Sequence, residues 1–200
     1  AFMVFAVSAM QEDLYANAHL RSAGTGGFTL LAETTFPVQE SPLVALDDPA
    51  LSGTALKVRD GDDASCLNLN YSEAPGVVGV NVADLVSRGA FASEAAAKEL
   101  WERLNLELPD GAIPALAGDT NTAMWTLRKK ATIKGGGQLI YENEGGAEQA
   151  VQLVGALPMR LSIFQGKILM SDANFTRLFP SEEGYRLVNE LLPLSNSPQY

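Results

Sequence analysis

Few residues in this chain have the type and spacing to do chemistry. The densest group of hard oxygen ligands is Asp60-Gly61-Asp62-Asp63, and clustered carboxylates of this kind suit a divalent cation such as Ca²⁺. An EF-hand register fails there, because Ala64 and Ser65 fill its fifth and sixth positions and Tyr71 stands where a bidentate Glu belongs. The simplest reading is a solvated acidic turn between two strands. Asp60, Asp62 and Asp63 are the weak metal candidates, and a metal-dependent hydrolase would have to use them. Cys66 follows that turn, where neighbouring carboxylates disfavour the thiolate that a nucleophile needs. It reads as a small core residue, and His19, in a polar stretch, as a surface residue.

One His and one Cys in 200 residues exclude a structural zinc site and any intramolecular disulfide. Gly24-Thr25-Gly26-Gly27 precedes a strand-like run and has no lysine beside it, whereas a phosphate loop needs Lys and Ser/Thr after its glycines and opens a helix. It reads as a structural turn, as does Gly135–Gly137. Arg128, Lys129, Lys130 and Lys134 form a basic group that complements the C-terminal dipole of a helix or, alternatively, makes a docking patch. Asn70-Tyr71-Ser72 and Asn174-Phe175-Thr176 match the glycosylation sequon, a pattern short enough to arise by chance. No catalytic constellation emerges, and no cofactor site.

The bulk properties narrow the class. Fourteen Lys and Arg against 24 Asp and Glu give a net charge of −10, the wrong sign for a phosphate backbone or an anionic lipid surface. With 46% hydrophobic and 19% charged residues, the chain has the composition of a folded domain. Residues 1–10 hold nine apolar residues and one serine, too few to span a bilayer. They read as a buried N-terminal segment or as the outer end of a transmembrane helix, with 11–200 as the domain itself.

The elements that must position these residues follow from pattern. A polar, helix-compatible segment (11–23) leads to a strand over Phe28–Phe36 ended by Pro37, then a loop over 37–54. Short alternating strands follow at Leu56–Arg59 and Leu67–Asn70, and an apolar one at Gly76–Val80. Asn81 and Gly89 bracket a short helix as cap residues of opposite ends. Helix 93–104 starts at Ser93 and places Ala97, Leu100, Trp101 and Leu104 on one face, with Glu94/Lys98 and Glu99/Arg103 at i,i+4. A compact α/β unit over 112–190 is predicted next. It has a strand at Ala112–Ala117, a helix at Thr120–Leu127 and a hairpin of Leu139–Glu142 with Ala150–Leu157. A strand at Leu161–Met170 then leads to a short helix capped by Ser171, with Phe175, Leu178 and Phe179 inward. Residues 184–192 fit strand or helix. The class expected is α+β, in one domain or two subdomains.

Taken in order, several motifs carry a resemblance. They are Ser22-Ala23-Gly24-Thr25-Gly26-Gly27-Phe28, the run Gly61–Leu69, Gly111-Ala112-Ile113-Pro114-Ala115, the run Phe164–Ser171, Phe179-Pro180-Ser181 and Gly184-Tyr185-Arg186. Over about residues 10–190 the chain resembles the extracytoplasmic (periplasmic core) domain of an FtsX/MacB-like ABC-transporter permease. The succession Ile113–Gly118, Thr120–Leu127, Gly137–Tyr141, Gln152–Leu157 and Ile163–Phe179 is similar to the end of that core. Ala131–Gly137 departs from it, where a tighter Lys-x-Gly-Asp turn is expected. The resemblance implies a non-catalytic domain on the periplasmic or extracellular side of the cell membrane, with ATP hydrolysis on a separate subunit or domain. It implies as partners the chain's own transmembrane helices, the ATP-binding subunit and an extracytoplasmic protein or cargo, with a homodimer as one assembly of the full transporter. A secreted metal-dependent hydrolase and a free-standing binding or adhesion module are the competing readings.

Overall fold

The computed structural model describes residues 17, 19–39, 52–61, 74–182 and 184–191. Strand Leu67–Asn70, Cys66 and the segment 1–10 fall outside these residues. The fold is α+β: a mixed eight-stranded sheet in the order β1-β8-β2-β3-β7-β4-β6-β5. The strands are β1 Leu30–Val38, β2 Ser52–Arg59, β3 Gly76–Val80, β4 Ile113–Ala117, β5 Gln138–Glu142, β6 Glu148–Ala156, β7 Lys167–Ser171 and β8 Tyr185–Leu191. Helices α1 (Val82–Arg88) and α2 (Glu94–Glu102) lie between β3 and β4, and α3 (Asp172–Leu178) follows β7.

The central strands are apolar without interruption because both faces are covered. Val77 belongs to one core and Val78 to the other, and the same split separates Ile168 from Leu169 and Ala115 from Leu116. On the first face α1 and α2 bury Leu85, Leu100, Trp101 and Leu104 against Leu56, Val78, Leu116 and Leu169. On the second, α3 buries Phe175, Leu178 and Phe179 against Val77, Ile113, Leu153 and Met170.

Local signals set the helix ends as expected. The Asn81 side chain accepts from the Asp84 amide at 3.1 Å, and Gly89 closes α1 in the left-handed region at φ 60°. Ser171 Oγ accepts from the Asn174 amide. In α2, Ala97, Leu100 and Trp101 are buried, as is Leu104 in the 3-10 turn that follows (Arg103–Asn105), from which Arg103 reaches Glu99 at 2.8 Å.

Strand polarity divides the sheet into two ends. Leu30 pairs with Glu190 and Ser52 with Leu191, so the first and last described strands begin and finish side by side. β3 and β7 run parallel, Gly76 beside Lys167, and β2 runs against β3 with Arg59 opposite Val77. The start of β7 therefore lies at the opposite end of this part of the sheet. β4 joins β7 there through only two residue pairs, Leu116 with Leu169 and Ala117 with Ile168. The outer strands curl back over α3's face, where Tyr141 Oη donates to the Pro75 carbonyl at 2.7 Å.

Three expectations need correction and two need refinement. The helix expected at Thr120–Leu127 is present, α-helical at 120–121 and widened to a π turn over Thr122–Thr126, with a buried aspartate at its start, as described below. The strand expected over Leu161–Met170 begins only at Lys167, since Ser162 and Phe164 use their backbone groups in turns. β1 runs through Pro37 to Val38 and is exposed almost throughout, with Phe36 79% accessible; at a sheet edge one side of the strand makes no ladder bonds, so proline is tolerated. Residues 19–23 form turns rather than helix. The segment left open between strand and helix resolves as strand β8 over Tyr185–Leu191, which gains ladders on both sides, from β1 and β2.

Trp101 is fully buried and its indole N–H donates to the Ala90 carbonyl at 2.9 Å. Replacing it with Ala should cost about 3–5 kcal/mol in urea unfolding; a loss below about 1 kcal/mol would contradict the packing described.

Candidate functional site

Among the sequence-derived candidates, the acidic turn is the first to be placed. Asp60 accepts an ion-paired hydrogen bond from Arg186 Nη1 at 2.7 Å, and the same guanidinium approaches Glu33. Its carboxylate thus pins β8 to the end of β2. Asp62 and Asp63 lie outside the described residues, and among the described residues no three His, Cys, Asp or Glu side chains converge on one point. His19 is exposed. Gly24–Gly27 forms a buried turn, with the Gly24 carbonyl accepting from the Ile163 amide. Asn174 lies in the first turn of α3.

The basic group is brought together with exposed apolar side chains that the sequence pattern had not singled out. The organising residue is Asp119, which is fully buried. One of its oxygens accepts from the Thr122 amide at 2.6 Å, the other from the Ser162 amide at 3.2 Å, so the desolvated carboxylate is compensated by backbone donors. Ser162 Oγ donates to the Gly118 carbonyl, and Thr122 Oγ1 accepts from the Gly166 amide. Gly118 must lack a side chain: a Cβ there would sit 2.0 Å from the Phe164 carbonyl oxygen. This clamp seats residues 118–122 on the loop before β7.

From that fixed start the chain makes one wide turn. Ala123 and Leu127 point inward and are buried, while Met124 is 58% and Trp125 68% exposed. Arg128 then adopts φ 51°, a conformation rare for a residue with a Cβ and worth of order 1–2 kcal/mol of strain. π turns and left-handed non-glycine residues both concentrate at functional sites. Met124, Trp125, Ala123, Ala131 and Ala156 line an open groove of about 640 Å³, with Arg128, Lys129 and Lys130 along it. Ile133, 43% exposed, lies just beyond. The Lys129 stem runs beside Gly137, whose missing Cβ makes room for it.

The sign of the patch is set by sequence. Residues 120–141 hold four cations and no carboxylate in a chain with 24 acidic residues. Among the described residues, no carboxylate is ion-paired to Arg128, Lys129, Lys130 or Lys134. Arg128, Lys129 and Lys130 follow the C-terminal end of helical residues 120–126, as expected for a cap group, though so short a helix has only a small dipole to complement. Sequence reasoning missed Asp119 and the outward pair Met124-Trp125. The available signal was the Asp119-Thr120-Asn121-Thr122 run, an N-cap pattern before an apolar stretch.

A second polar link ties the β5–β6 turn to the far side of α3. Glu144 accepts from both the amide and the hydroxyl of Ser181, and these bonds, aided by Arg59, hold its carboxyl below the ordinary value of 4.5.

No family model matches the chain, and searches of curated proteins and of solved structures return no match.

Two outcomes follow. Trp125→Ser should change stability by less than about 0.5 kcal/mol, as for a surface position, in contrast to Trp101. The Glu144 link should respond to pH with a definite sign. A depressed native pKa gives stability that is present above the unfolded-state value and lost as pH falls through the native one. The melting difference between wild type and Glu144→Gln should thus be full at neutral pH and shrink on acidification below the ordinary carboxyl range; a difference growing on acidification would refute the assignment.

Proposed function

We propose that this chain is a non-catalytic extracytoplasmic domain of an ABC-transporter permease of the FtsX/MacB-like class. On this reading it couples movement of the membrane helices to a protein or cargo outside the cytoplasm, while a separate subunit hydrolyses ATP. The observation that carries the proposal is the pairing of the first and last described strands, Leu30 beside Glu190. A domain held at both ends by one membrane needs its chain to enter and leave on one side; the start of β1 beside the end of β8 supports such an arrangement, although the segment before β1 first bonds to Phe91 and Ile163. The ordered motifs from Ser22 to Arg186 support the same class. The docking function rests on the Trp125 groove, which lies away from those ends and offers apolar and cationic contacts but no acid–base pair.

Among the described residues no helix is long and apolar enough to cross a membrane. The apolar stretch 1–10 is, on this reading, the outer end of a preceding transmembrane helix.

The test is topological and uses the protein in its native cells. The chain should remain with the membrane fraction through an alkaline carbonate wash. A Cys66→Ala/Thr132→Cys variant should be labelled in intact spheroplasts by a membrane-impermeant maleimide. Recovery in the soluble fraction, or labelling only after permeabilisation, would overturn the proposal.

A further inference from the structure

We propose that the groove at Trp125 is the docking site for an acidic segment of a soluble partner protein, one that inserts apolar side chains between flanking carboxylates. The juxtaposition that carries this is an exposed Trp125 and Met124 beside Arg128, Lys129 and Lys130 on a turn that is locked from beneath.

Three features select this occupant. The first is chemical. The lining of the groove combines apolar side chains with three cations, so a small anion would leave the apolar part unused and a neutral hydrophobe would leave the cations unused. A segment with aliphatic or aromatic anchors flanked by Asp or Glu uses both, and exposed Trp and Arg are the residue types that dominate binding energy at interfaces. The second is preorganisation. Asp119, Ser162 and Thr122 fix the turn from beneath through backbone donors, so little ordering is left to offset the contacts made on binding.

The third feature is position. Thr122, within the turn, accepts a hydrogen bond from the Gly166 amide just before β7 begins, and β7 begins at the sheet end opposite that where Leu30 meets Glu190. On the membrane-tethered reading, on which this step alone rests, the patch lies at the sheet end away from where the chain leaves β8. That argues against lipid, although Trp with Lys and Arg is also an interfacial membrane signature. A second copy is disfavoured by charge, since two chains of −10 each repel at long range.

The experiment uses the chain itself and a defined probe: a synthetic amphipathic helix with Leu and Phe on one face and Glu on its flanks. Controls are its Lys-for-Glu and its Ser-for-Leu/Phe versions. Trp101 is buried and Trp125 exposed, so docking should blue-shift the Trp125 emission, and a Trp125→Phe variant should lose that shift. The acidic apolar probe should bind at least about tenfold more tightly than either control, and Lys129→Glu/Lys130→Glu should weaken it by about tenfold or more with an unchanged melting temperature. Raising salt from about 50 to 500 mM should weaken binding as the exposed charges are screened.

Equal binding of all three probes, or no emission shift with any, overturns the proposal. So does an emission shift with phosphatidylglycerol vesicles in the absence of one with the peptide, which assigns the patch to lipid. Concentration-dependent dimerisation abolished by Lys129→Glu/Lys130→Glu assigns it to a second copy and likewise overturns it. Failure of the topology test leaves the peptide result standing by itself, so the two readings fail separately.

Discussion

Phe91 holds together three parts of the chain that are remote in sequence, and it does so in a backbone conformation that a bulky side chain rarely adopts. Its φ is 63°, a left-handed geometry that persists only where the surroundings over-determine it. Its ring centroid lies 6.0 Å from Phe28, 6.1 Å from Trp101 and 5.2 Å from Phe164, and its amide donates to the Arg21 carbonyl at 2.7 Å. Gly26 answers the ring directly: a Cβ there would stand 2.5 Å from it. The tight corner between α1 and α2 forces the strain, and four aromatic rings packed together offset it. Because Phe164 belongs to the loop before β7, this knot also fastens the loop from which the Asp119 clamp is made.

The functional surface therefore depends on the core through a short chain of contacts. Phe164 is held by Phe91, and two residues earlier Ser162 presents its amide to Asp119 and its hydroxyl to the Gly118 carbonyl. Asp119 in turn starts the π turn. Once that start is fixed and Leu127 is buried, the extra residue of a π turn has to be accommodated on the outer side, and Met124 and Trp125 are there. The strain at Arg128 is the cost of ending the turn so that Leu127 stays inside and the Lys129 stem passes Gly137. An exposed tryptophan on a strained turn is thus a consequence of interior constraints acting from one side only.

What was legible in the sequence was what short-range physics decides. Asn81, Gly89 and Ser171 mark helix ends because capping is a local hydrogen-bonding matter. The inward face of α2 follows from the spacing of Ala97, Leu100, Trp101 and Leu104. The β5–β6 hairpin follows from two apolar runs about Gly145-Gly146. Helix was legible at Thr120–Leu127 but its widening to a π turn was not, and the contact of Asp119 with Ser162, 43 residues away, lies beyond any local pattern. Residue type also fails to separate a buried apolar side chain from an exposed one, so Trp125 reads like Trp101. The exposure of β1 was hidden for the same reason. Strand β8 was ambiguous by itself, since its identity comes from the two partners that flank it. For the candidate site, the cations were visible and their apolar companions were not.

Position and charge combine in a way that neither would give alone. From β8 through β2 and β3 to β7 the strands form one continuous ladder, with a packed core on one face throughout and on both faces at β3 and β7, and interiors of that density transmit displacement rather than absorb it. For a domain held through β1 and β8, motion at that end must arrive at the Trp125 turn as movement of a rigid body, because the Asp119 clamp joins the turn to the start of β7. The cationic field there is short-ranged against an acidic body, being screened over about 8 Å at physiological salt. On the proposed reading a partner would be recognised only when the surface is presented close to it, and shifting the domain would change which partner groups the four cations can reach. On this scheme the control lies in where the surface is carried, and the surface itself has no need of a second conformation.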